Sequence, residues 1–292
     1  MTDSIWLDLL GTDFRQTFFD VDGVRTRAIE AGSGEPLIFL HGIGGHAEAY
    51  AKNIAAHAKH FHVYSLDMIG HGLTAGPDIE YSLRTFATHL GNFIDLIDAR
   101  QVMLSGESLG AMVATLYSVE NPTRVGKLVL NTGMIAPRNE TGMKQMRDLR
   151  ERSMRAATIP TRESVHDRLK WLMAEPEKSI NDELIETRYR IYTRPGRPEL
   201  MKRIGETLMK QGEDPVRGAE LTDATIMRRL QCPTLVVWSN HNPGRSAAEA
   251  EVSAREIPNH RMIVLENSAH WPQWEEHESF NEQHIKFLLS GV

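Results

Sequence analysis

The chain has 292 residues, of which 41% are hydrophobic, and it carries a formal net charge of −6. This length and hydrophobic fraction are enough for one large domain, with or without an insertion. The acidic balance argues against a nucleic-acid-binding protein, which usually has a basic face, and against attraction to an anionic membrane. No stretch has the roughly 18 to 20 apolar residues that a membrane span requires.

The N-terminal stretch MTDSIWLDLLGTDF contains acidic residues and lacks a basic region or a long apolar run. It therefore does not resemble a signal peptide. The sequence contains one cysteine, Cys232, so an intrachain disulfide is not possible. A single free cysteine suits a reducing compartment and favours a cytoplasmic protein. Because Cys232 lies just before an apolar run, we interpret it as a small core residue rather than a reactive thiol.

The N-terminal part predicts an antiparallel hairpin over residues 17–32, which turns at Asp22 and Gly23. Six short, nearly continuous apolar runs then predict the strands of a parallel sheet covered on both faces. They are residues 36–41, 61–67, 101–106, 126–131, 233–239 and 261–267. Helical patterns alternate with these runs. They cover residues 47–60, 82–99, 109–120 and 280–291. This alternation predicts an α/β fold with a mostly parallel, doubly wound sheet.

The alternation of strands and helices is interrupted between residues 134 and 230. This stretch has helical composition, many charges and no strand-like run. Residues 141–157, 163–175 and 182–192 predict separate amphipathic helices, and several prolines punctuate the stretch. These are Pro160, Pro176, Pro195, Pro198 and Pro215. We therefore expect residues 134–230 to form a helical lid inserted in a core made of residues 1–133 and 231–292.

The segment GESLG, residues 106–110, matches the pattern G-x-S-x-G between a predicted strand and a predicted helix. Gly106 and Gly110 leave room for a sharp turn, so the hydroxyl of Ser108 projects above the sheet. The N-terminus of the following helix adds positive potential at this point. Short patterns of Gly and Ser recur by chance, but the strand–turn–helix position predicts that Ser108 is a nucleophile rather than part of a packing turn.

The segment HGIGG, residues 41–45, follows an apolar strand and forms a loop of small residues. It is not followed by the Lys-Ser/Thr pair of a phosphate-binding loop. With Ser108 downstream, the loop is better interpreted as part of an oxyanion hole. We expect the amide of Gly42 or Ile43 to act together with the amide of Leu109, which follows the nucleophile.

A candidate catalytic histidine, His270, lies in SAHWPQWE after the last apolar run. Most of the thirteen histidines are expected at the surface or in packing positions. His71 in DMIGHG also follows a strand, but the neighbouring Gly70 and Gly72 indicate a structural role. No HExxH or Cys/His ligand pattern is present, so the sequence predicts no metal site.

Together, HGIGG, DMIGHG, GESLG and SAHWPQWE resemble an α/β-hydrolase, in which nucleophile, acid and histidine follow in that order. More narrowly, they resemble the meta-cleavage product hydrolases, which cleave a C–C bond in ring-opened aromatic dienoates. The resemblance covers nearly the whole chain, and its most specific piece is HWPQWE followed by Phe280 and Asn281. It implies an α/β-hydrolase fold with a lid, a catalytic triad, no cofactor and a small organic substrate. It also implies a possible homo-oligomer.

The resemblance also implies roles for individual residues. Arg188, in NDELIETRYR, matches an arginine that binds the substrate carboxylate, and an arginine fork suits a carboxylate in a dry pocket. The alternative for Arg188 is a solvated helix face. Trp271 matches a tryptophan that lines the pocket beside the histidine. In WSNHNP, the turn after the strand at residues 233–239, Asn242 stands where the acid of the triad is expected.

Three positions depart from the family pattern. Glu107 precedes the nucleophile where a small amide side chain often helps to hold the substrate carboxylate, and a second carboxylate would repel that group unless one is protonated. Ala49 stands where the dienoate hydrolases tend to have asparagine. Asn242 can accept a hydrogen bond from His270, but it cannot provide the full negative charge of an aspartate. Other carboxylates could compensate, and the nearest in sequence are Glu220, Asp223, Glu249 and Glu251.

Three functions remain open from the sequence. The first is a cofactor-free hydrolase that cleaves a C–C bond in a ring-opened 2-hydroxy-6-oxo-dienoate, with Ser108 and His270 as its catalytic residues. The second, favoured by Glu107 and Ala49, is an ester, lactone or amide hydrolase. The third, favoured only by Asn242, is a binding scaffold without catalytic activity. We favour the first, because a scaffold has little need of the nucleophile, the histidine and both oxyanion loops.

Overall fold

The computed structural model describes residues 4–137 and 139–291. Residues 1–3, which begin the stretch compared with a signal peptide, lie outside the described residues, as does Val292. Within these ranges the chain forms one sheet of eight strands flanked by helices. The strands are β1 Phe14–Val21, β2 Val24–Ala31, β3 Pro36–Leu40, β4 His62–Leu66, β5 Val102–Glu107, β6 Val125–Asn131, β7 Thr234–Ser239 and β8 His260–Leu265.

The sheet has the strand order β1-β2-β4-β3-β5-β6-β7-β8. Strands β1 and β2 form the predicted antiparallel hairpin, with Val21 opposite Val24 and positive φ angles at Asp22 and Gly23. Strand β2 pairs antiparallel with β4, and all pairs from β4 to β8 are parallel. The prediction of a mostly parallel α/β sheet is confirmed. Each predicted run coincides with one strand, and the bounds differ by one or two residues at some ends; β5, β6 and β8 each extend one residue beyond the predicted run.

The helices in chain order are α1 Ile5–Asp8, α2 Ala51–His57, α3 Leu83–Leu96, α4 Leu109–Glu120, α5 Glu140–Thr158, α6 Arg162–Leu172, α7 Pro176–Ser179, α8 Asp182–Tyr192, α9 Arg197–Glu213, α10 Ala219–Thr222, α11 Ala247–Ala254, α12 Pro272–Glu275 and α13 His277–Leu289. Three predicted helices have different bounds. The first begins as a 3₁₀ turn at Ala47–Tyr50, the second ends at Leu96 rather than at residue 99, and the last begins three residues before Phe280. Helix α11 was not predicted. Its N-terminus is fixed by a capping box between Ser246 and Glu249.

Helices α5 to α10, which we call the inserted helices, follow β6 and precede β7. The three amphipathic segments predicted here correspond to α5, α6 and α8. Helix α9 was missed because Pro198 was interpreted as a break. Pro198 instead lies in the first turn of α9, where a helix needs no backbone donor. The division into a core at residues 1–133 and 231–292 and a lid at residues 134–230 stays a prediction.

The predicted apolar face of α3 is buried against the sheet. Its buried members include Leu83, Phe86, Leu90, Phe93 and Ile94. The interpretation of Cys232 as a core residue is confirmed, since its side chain is buried and burial raises the pKa of its thiol to about 11. In the described part of the chain, no helix has both the length and the apolar character to cross a membrane.

The DMIGHG turn fixes the loop that follows β3. The Asp67 carboxylate is fully buried and accepts hydrogen bonds from the amides of Ala47 at 2.7 Å and Leu73 at 2.6 Å. Arg27 donates to the same carboxylate at 3.2 Å. A Cβ atom at Gly72 would lie 2.1 Å from the Asp67 carboxylate, so only glycine fits there. His71 is buried in this turn, in agreement with its predicted structural role.

We predict that Gly110→Ala destabilises the protein by about 1 to 3 kcal/mol or more, because the new Cβ would lie 2.3 Å from the carbonyl oxygen of Leu40. Gly212→Ala is the matched control. It is also helical, but its Cβ would meet nothing closer than Leu221 at 3.7 Å, so we expect it to be neutral or stabilising. Urea unfolding of both variants measures the difference, and equal stabilities would contradict the close approach of α4 to β3.

Candidate active site

Ser108 stands in a strained turn between β5 and α4. Its φ and ψ angles are 53° and −111°, in a region that L-residues rarely adopt. A Cβ atom at Gly106 would lie 2.3 Å from the backbone of Gly110, so the turn can be this tight only with glycine at that position. The Ser108 amide donates to the carbonyl of Asn131 at 3.0 Å, which fixes the turn against β6. Such strain is maintained by the surrounding structure and is typical of functional positions.

The HGIGG loop lies beside Ser108, where the sequence predicted it. Gly42, Ile43 and Ser108 line the same pocket. The Gly42 amide donates to Oε2 of Glu107 at 2.5 Å. Leu109 is the first residue of α4, directly after the nucleophile. The pairing of these amides as an oxyanion hole stays a prediction, because Glu107 occupies the Gly42 donor in this structure.

Two of the inserted helices hold the HGIGG loop in place. Arg168 on α6 donates through Nη2 to the carbonyl of Ile43 at 2.7 Å. Tyr192 at the end of α8 donates through its hydroxyl to the carbonyl of Gly44 at 2.7 Å. The loop is therefore held from the side of the inserted helices.

His270 lies in the loop between β8 and α12, and hydrogen bonds from three directions fix its backbone. Its carbonyl accepts from the hydroxyl of Thr132 at 2.9 Å. Its amide donates to the carbonyl of Leu172, at the end of α6, at 2.9 Å. The preceding Ala269 amide donates to Oε2 of Glu275 at 2.8 Å. The histidine is thus positioned by the sheet, by the inserted helices and by α12 together.

The HWPQWE signature connects the histidine loop to the inserted helices. The second carboxylate oxygen of Glu275 accepts from the amide of Ala174 at 2.7 Å, just beyond α6. The Trp274 indole donates to the carbonyl of Ser179, the last residue of α7, at 2.8 Å. Burial raises the pKa of the Glu275 carboxyl against the opposing effect of its backbone donors. Movement of these helices would therefore be transmitted to His270.

Asn242 contacts His270, as the resemblance implied. Its Oδ1 lies 2.7 Å from Nδ1 of His270. Its Nδ2 donates to the carbonyl of Arg245 at 3.2 Å, and a carbonyl can only accept. This contact fixes the amide so that its oxygen faces the histidine, and Nδ1 must therefore carry a hydrogen. Asn242 can orient the ring in the way that the expected aspartate would.

The four carboxylates proposed from the sequence as substitutes for the missing aspartate have partners elsewhere. Glu220 pairs with Arg84, Asp223 caps a 3₁₀ turn, Glu249 belongs to the capping box of α11, and Glu251 pairs with Arg255. Glu107 is the carboxylate that contacts the histidine instead. Its Oε1 lies 3.2 Å from Nε2 of His270, and its side chain is 2% exposed. The sequence places Glu107 next to Ser108 but does not predict its contact with His270.

Burial raises the pKa of Glu107 to about 7. The Gly42 amide and the charges of Arg168 and Arg188 oppose this effect, but they do not cancel it. The carboxyl therefore changes its charge close to neutral pH. Such a shift, with a named charge partner in a cleft, marks a candidate functional group.

Arg188 is fully buried, so the alternative of a solvated helix face is wrong. None of its three guanidinium nitrogens makes a hydrogen bond to the residues that the structure describes. The group lies 5.0 Å from the ring centre of Trp271 and 6.0 Å from that of Tyr192. Burial lowers the pKa of Arg188 to about 10, although the nearby Tyr192 favours the charged form. A buried guanidinium without an acceptor is costly, and a bound anion would provide the missing acceptors.

Arg168 is a site residue that the sequence analysis missed. It lines the pocket with Glu107, Ser108 and His270, and its Nη1 is buried without a hydrogen-bond partner within the described ranges. A signal was present in the sequence, because Arg168 lies on the buried stripe of α6. The other members of this stripe include Val165, Leu169 and Leu172. Arg188 occupies a similar position on α8, and an arginine in an apolar stripe needs a buried partner.

Two small cavities meet at Ser108 and His270. The first has a volume of about 10 Å³ and is lined mainly by the HGIGG loop, Glu107, Arg168 and Trp271. The second has a volume of about 30 Å³ and includes the side chains of Met112, Met134 and Trp238. A water molecule needs at least about 10 to 15 Å³. Neither cavity can hold an organic substrate in this conformation, so binding requires the surrounding elements to move.

A family model described as the alpha/beta hydrolase fold matches residues 35–277. The chain belongs to this family. The expected α/β-hydrolase fold is thereby confirmed, and the order of Ser108, Asn242 and His270 along the chain is that of nucleophile, acid and histidine in this fold.

The chain is similar over most of its length to several hydrolases. It is 28% identical to 2-hydroxy-6-oxo-6-(2'-aminophenyl)hexa-2,4-dienoic acid hydrolase of Metapseudomonas resinovorans, over 94% of this chain and 90% of that protein. It is 26% identical to (E)-2-((N-methylformamido)methylene)succinate hydrolase of Acinetobacter baylyi, over 82% and 85% of the two chains. A crystal structure of a serine hydrolase involved in carbazole degradation superposes with a TM-score of 0.80 at 27% identity, over 94% and 99%. The resemblance to meta-cleavage product hydrolases is confirmed.

We predict that Glu107→Gln stabilises the protein at pH 8 by roughly 3 kcal/mol and has little effect at pH 4. Burial raises the folded-state pKa of Glu107 from 4.5 to about 7, so the folded protein holds a proton that the unfolded chain releases. The free energy of unfolding of the wild type therefore falls as the pH rises from 4.5 to about 7, and it is lowest above pH 7. Thermal melts of both proteins from pH 4 to pH 8 test this, and a variant less stable at pH 8 would contradict it.

Proposed function

We propose that the protein is a cofactor-free, serine-type hydrolase that cleaves a C–C bond in a ring-opened 2-hydroxy-6-oxo-dienoate. The observation that carries the proposal is that Arg168 and Trp271 line the same cavity as Ser108 and His270. The buried guanidinium of Arg188, which has no hydrogen-bond partner among the described residues, lies 5.0 Å from the ring centre of Trp271. Dienoates of this class have a carboxylate at one end and an organic group at the other. The similarity to the dienoic acid hydrolase of Metapseudomonas resinovorans supports the same substrate class.

In this proposal, Ser108 attacks the carbonyl carbon or positions the water that does so, and His270 accepts the proton. The Asn242 oxygen keeps the hydrogen on Nδ1, so Nε2 has the lone pair that a general base needs. The amides of Leu109 and of Gly42 or Ile43 stabilise the oxyanion once Glu107 no longer occupies the Gly42 amide.

Arg188 binds the substrate carboxylate in this scheme. The buried guanidinium has free donors in a fork, which match the two oxygens of a carboxylate. Trp271 stacks beside it and forms one wall of the pocket. Met112, Met134 and Trp238, on the opposite side of Ser108, provide an apolar region for the organic end of the substrate.

We also propose that the inserted helices form a lid. Arg168 and Leu172 on α6 contribute to the closed pocket, and their contacts reach both the HGIGG loop and His270. Because the closed cavities are too small for a substrate, α6 and α8 must move away during binding. A cytoplasmic location and association into a homo-oligomer stay predictions.

A neutral Asn242 is compatible with this reaction because the substrate itself is activated. C–C cleavage of a vinylogous ketone releases a delocalised dienolate, which is a better leaving group than a simple carbanion. The strained turn at Ser108 is also costly to maintain, by about 1 to 3 kcal/mol, in a protein that only binds. Both points favour a working enzyme over a binding scaffold.

We predict that the purified protein consumes a yellow 2-hydroxy-6-oxo-dienoate, and that Ser108→Ala lowers the rate by about 10³-fold or more, since it removes the nucleophilic hydroxyl. The loss of visible absorbance measures the reaction, and product analysis must show the acid and the shorter dienoate. Absence of decay with both proteins would contradict C–C hydrolysis.

We predict that Arg188→Met lowers kcat/KM for a carboxylated dienoate by about 10- to 100-fold, because it removes a charge-assisted interaction. The same change should raise stability by about 1 to 4 kcal/mol, since it removes a buried cation without an acceptor. Arg190→Met is the control on the same helix, where the side chain is 77% exposed and pairs with Glu186. Loss of stability in Arg188→Met would instead indicate a structural arginine.

The second candidate is an ester, lactone or amide hydrolase. Two observations favour it: Glu107 lies where a substrate carboxylate would be repelled when it is ionised, and Ala49 leaves no polar side chain at a fully buried position. The relative from Acinetobacter baylyi is named as a hydrolase of a succinate that carries an N-methylformamido group, and such a group contains an amide bond. Assays with short esters, lactones and N-acyl enamines separate the two. Activity that depends on Ser108 but not on Arg188 would favour the second candidate.

A further inference from the structure

The two ring nitrogens of His270 face different groups. The Asn242 side chain faces Nδ1 of His270 with its oxygen and can only accept a hydrogen bond from it, because the Asn242 amide nitrogen donates to the carbonyl of Arg245. Nδ1 therefore keeps its hydrogen throughout the reaction, and Nε2 is the nitrogen that gains or loses a proton. Oε1 of Glu107 lies 3.2 Å from this Nε2. At this ion-pair distance the two groups can share one proton, held either by the carboxyl group or by the imidazole.

Glu107 also contacts the loop predicted to stabilise the oxyanion. Its Oε2 accepts from the Gly42 amide at 2.5 Å. When the carboxyl is ionised, it satisfies this donor with its own negative charge. When the carboxyl is protonated, its hold on the amide weakens and the donor becomes available to another anion. The charge of Glu107 thus controls both the base and the Gly42 donor.

We propose that Glu107 is the carboxylate partner of His270, in place of the aspartate that Asn242 replaces. The proposal rests on the hydrolytic function of Ser108 proposed above. It differs from a triad in geometry, because the charge acts at Nε2 rather than at Nδ1. Glu107 accordingly exchanges a proton with the base, whereas a triad aspartate does not become protonated.

The proton movements balance as follows. The O–H bond of the nucleophile breaks as its oxygen bonds to the carbonyl carbon, and the proton passes to Nε2 of His270. The imidazolium donates this proton to Oε1 of Glu107, which becomes neutral as negative charge develops on the substrate oxygen. The substrate reacts as its 2,6-dioxo tautomer, in which the proton of the 2-hydroxyl group has moved to the carbon beside the carbonyl. The C–C bond then breaks, its electron pair is delocalised onto the 2-oxygen of the leaving dienolate, and the same proton returns through Nε2 to that oxygen. Where Ser108 is the nucleophile, a water molecule then attacks the acyl-enzyme with the same proton movements and releases the acid. One negative charge is present at every stage.

The charged and titratable groups around Glu107 and His270 lie on several elements. Arg168 on α6 and Arg188 on α8 favour the ionised carboxylate. Tyr50 lies in the 3₁₀ turn before α2. Burial raises the pKa of Tyr50 well above its usual value, and the charge of Glu107 raises it further. The Gly42 amide favours the ionised form, and burial opposes all of these effects. The pair therefore holds its extra proton at low pH and releases it as the pH rises through the neutral range.

The test measures the rate at which a fluorophosphonate labels Ser108, by intact mass, as a function of pH. This reaction needs the same base but no dienoate. For the wild type we expect a rate that rises with pH, because Nε2 must be unprotonated. Glu107→Gln should lower the plateau by about 10²-fold or more and move the midpoint to lower pH by about one unit, since the imidazolium loses its carboxylate.

The double variant Glu107→Gln/Asn242→Asp is the decisive companion. It moves the carboxylate to the Nδ1 side, and we expect the labelling rate to recover to within about tenfold of the wild type. Asn242→Asp alone places carboxylates on both sides of the ring and should move the midpoint to higher pH. A purely structural role of Glu107 would not be rescued by an aspartate 135 positions away in the chain.

The outcomes separate this inference from the proposed function. A labelling rate in Glu107→Gln equal to that of the wild type, or a double variant no faster than Glu107→Gln, would overturn the role of Glu107. A protein that is labelled at Ser108 with the expected dependence on Glu107, but does not consume dienoates, would support the role of Glu107 and contradict C–C hydrolysis. Glu107→Gln is expected to be more stable than the wild type at pH 8, and a thermal melt at that pH shows that a low labelling rate is not caused by unfolding.

Discussion

The position of His270 between Asn242 and Glu107 is the constraint on which the account of this site depends. A triad normally places one charged carboxylate behind the histidine and leaves the other ring nitrogen for the nucleophile. Here a neutral amide lies 2.7 Å behind the ring, and a buried carboxyl lies 3.2 Å in front of it. The negative charge therefore lies beside Ser108, where in the proposed reaction it would compete with the developing oxyanion unless it takes up a proton.

The surrounding fold maintains this arrangement at a cost in stability. Ser108 is held at a positive φ angle, Glu107 is ionisable in a fully buried position, and Arg188 has no acceptor among the described residues. Each feature is unfavourable in isolation. They occur together where the HGIGG loop, the histidine loop and the inserted helices meet. An anionic substrate would relieve the cost at Arg188, and in the proposed function this would couple substrate binding to closure of the pocket by α6 and α8.

The parallel strands could be predicted from the sequence because buried parallel strands are continuous apolar runs, and the Ser108 turn could be predicted from its two glycines, which no other residue can replace. The site was only partly predictable. Glu107 was recognised as unusual, but its contact with His270 depends on a side-chain direction that spacing along the chain does not determine. Arg168 was missed because it lies on a helix face whose other members are mostly apolar. Helix α9 was missed because it begins beside a proline.

The account is tested most directly by the protonation of His270 itself. In protein labelled with ¹⁵N-histidine, NMR distinguishes a ring nitrogen that carries hydrogen from one that does not. The Asn242 geometry predicts that Nδ1 is protonated from pH 5 to pH 9 and that only Nε2 titrates, with a midpoint that shifts in Glu107→Gln. A neutral ring with its hydrogen on Nε2 would contradict the account, because such a histidine could not accept the proton of Ser108.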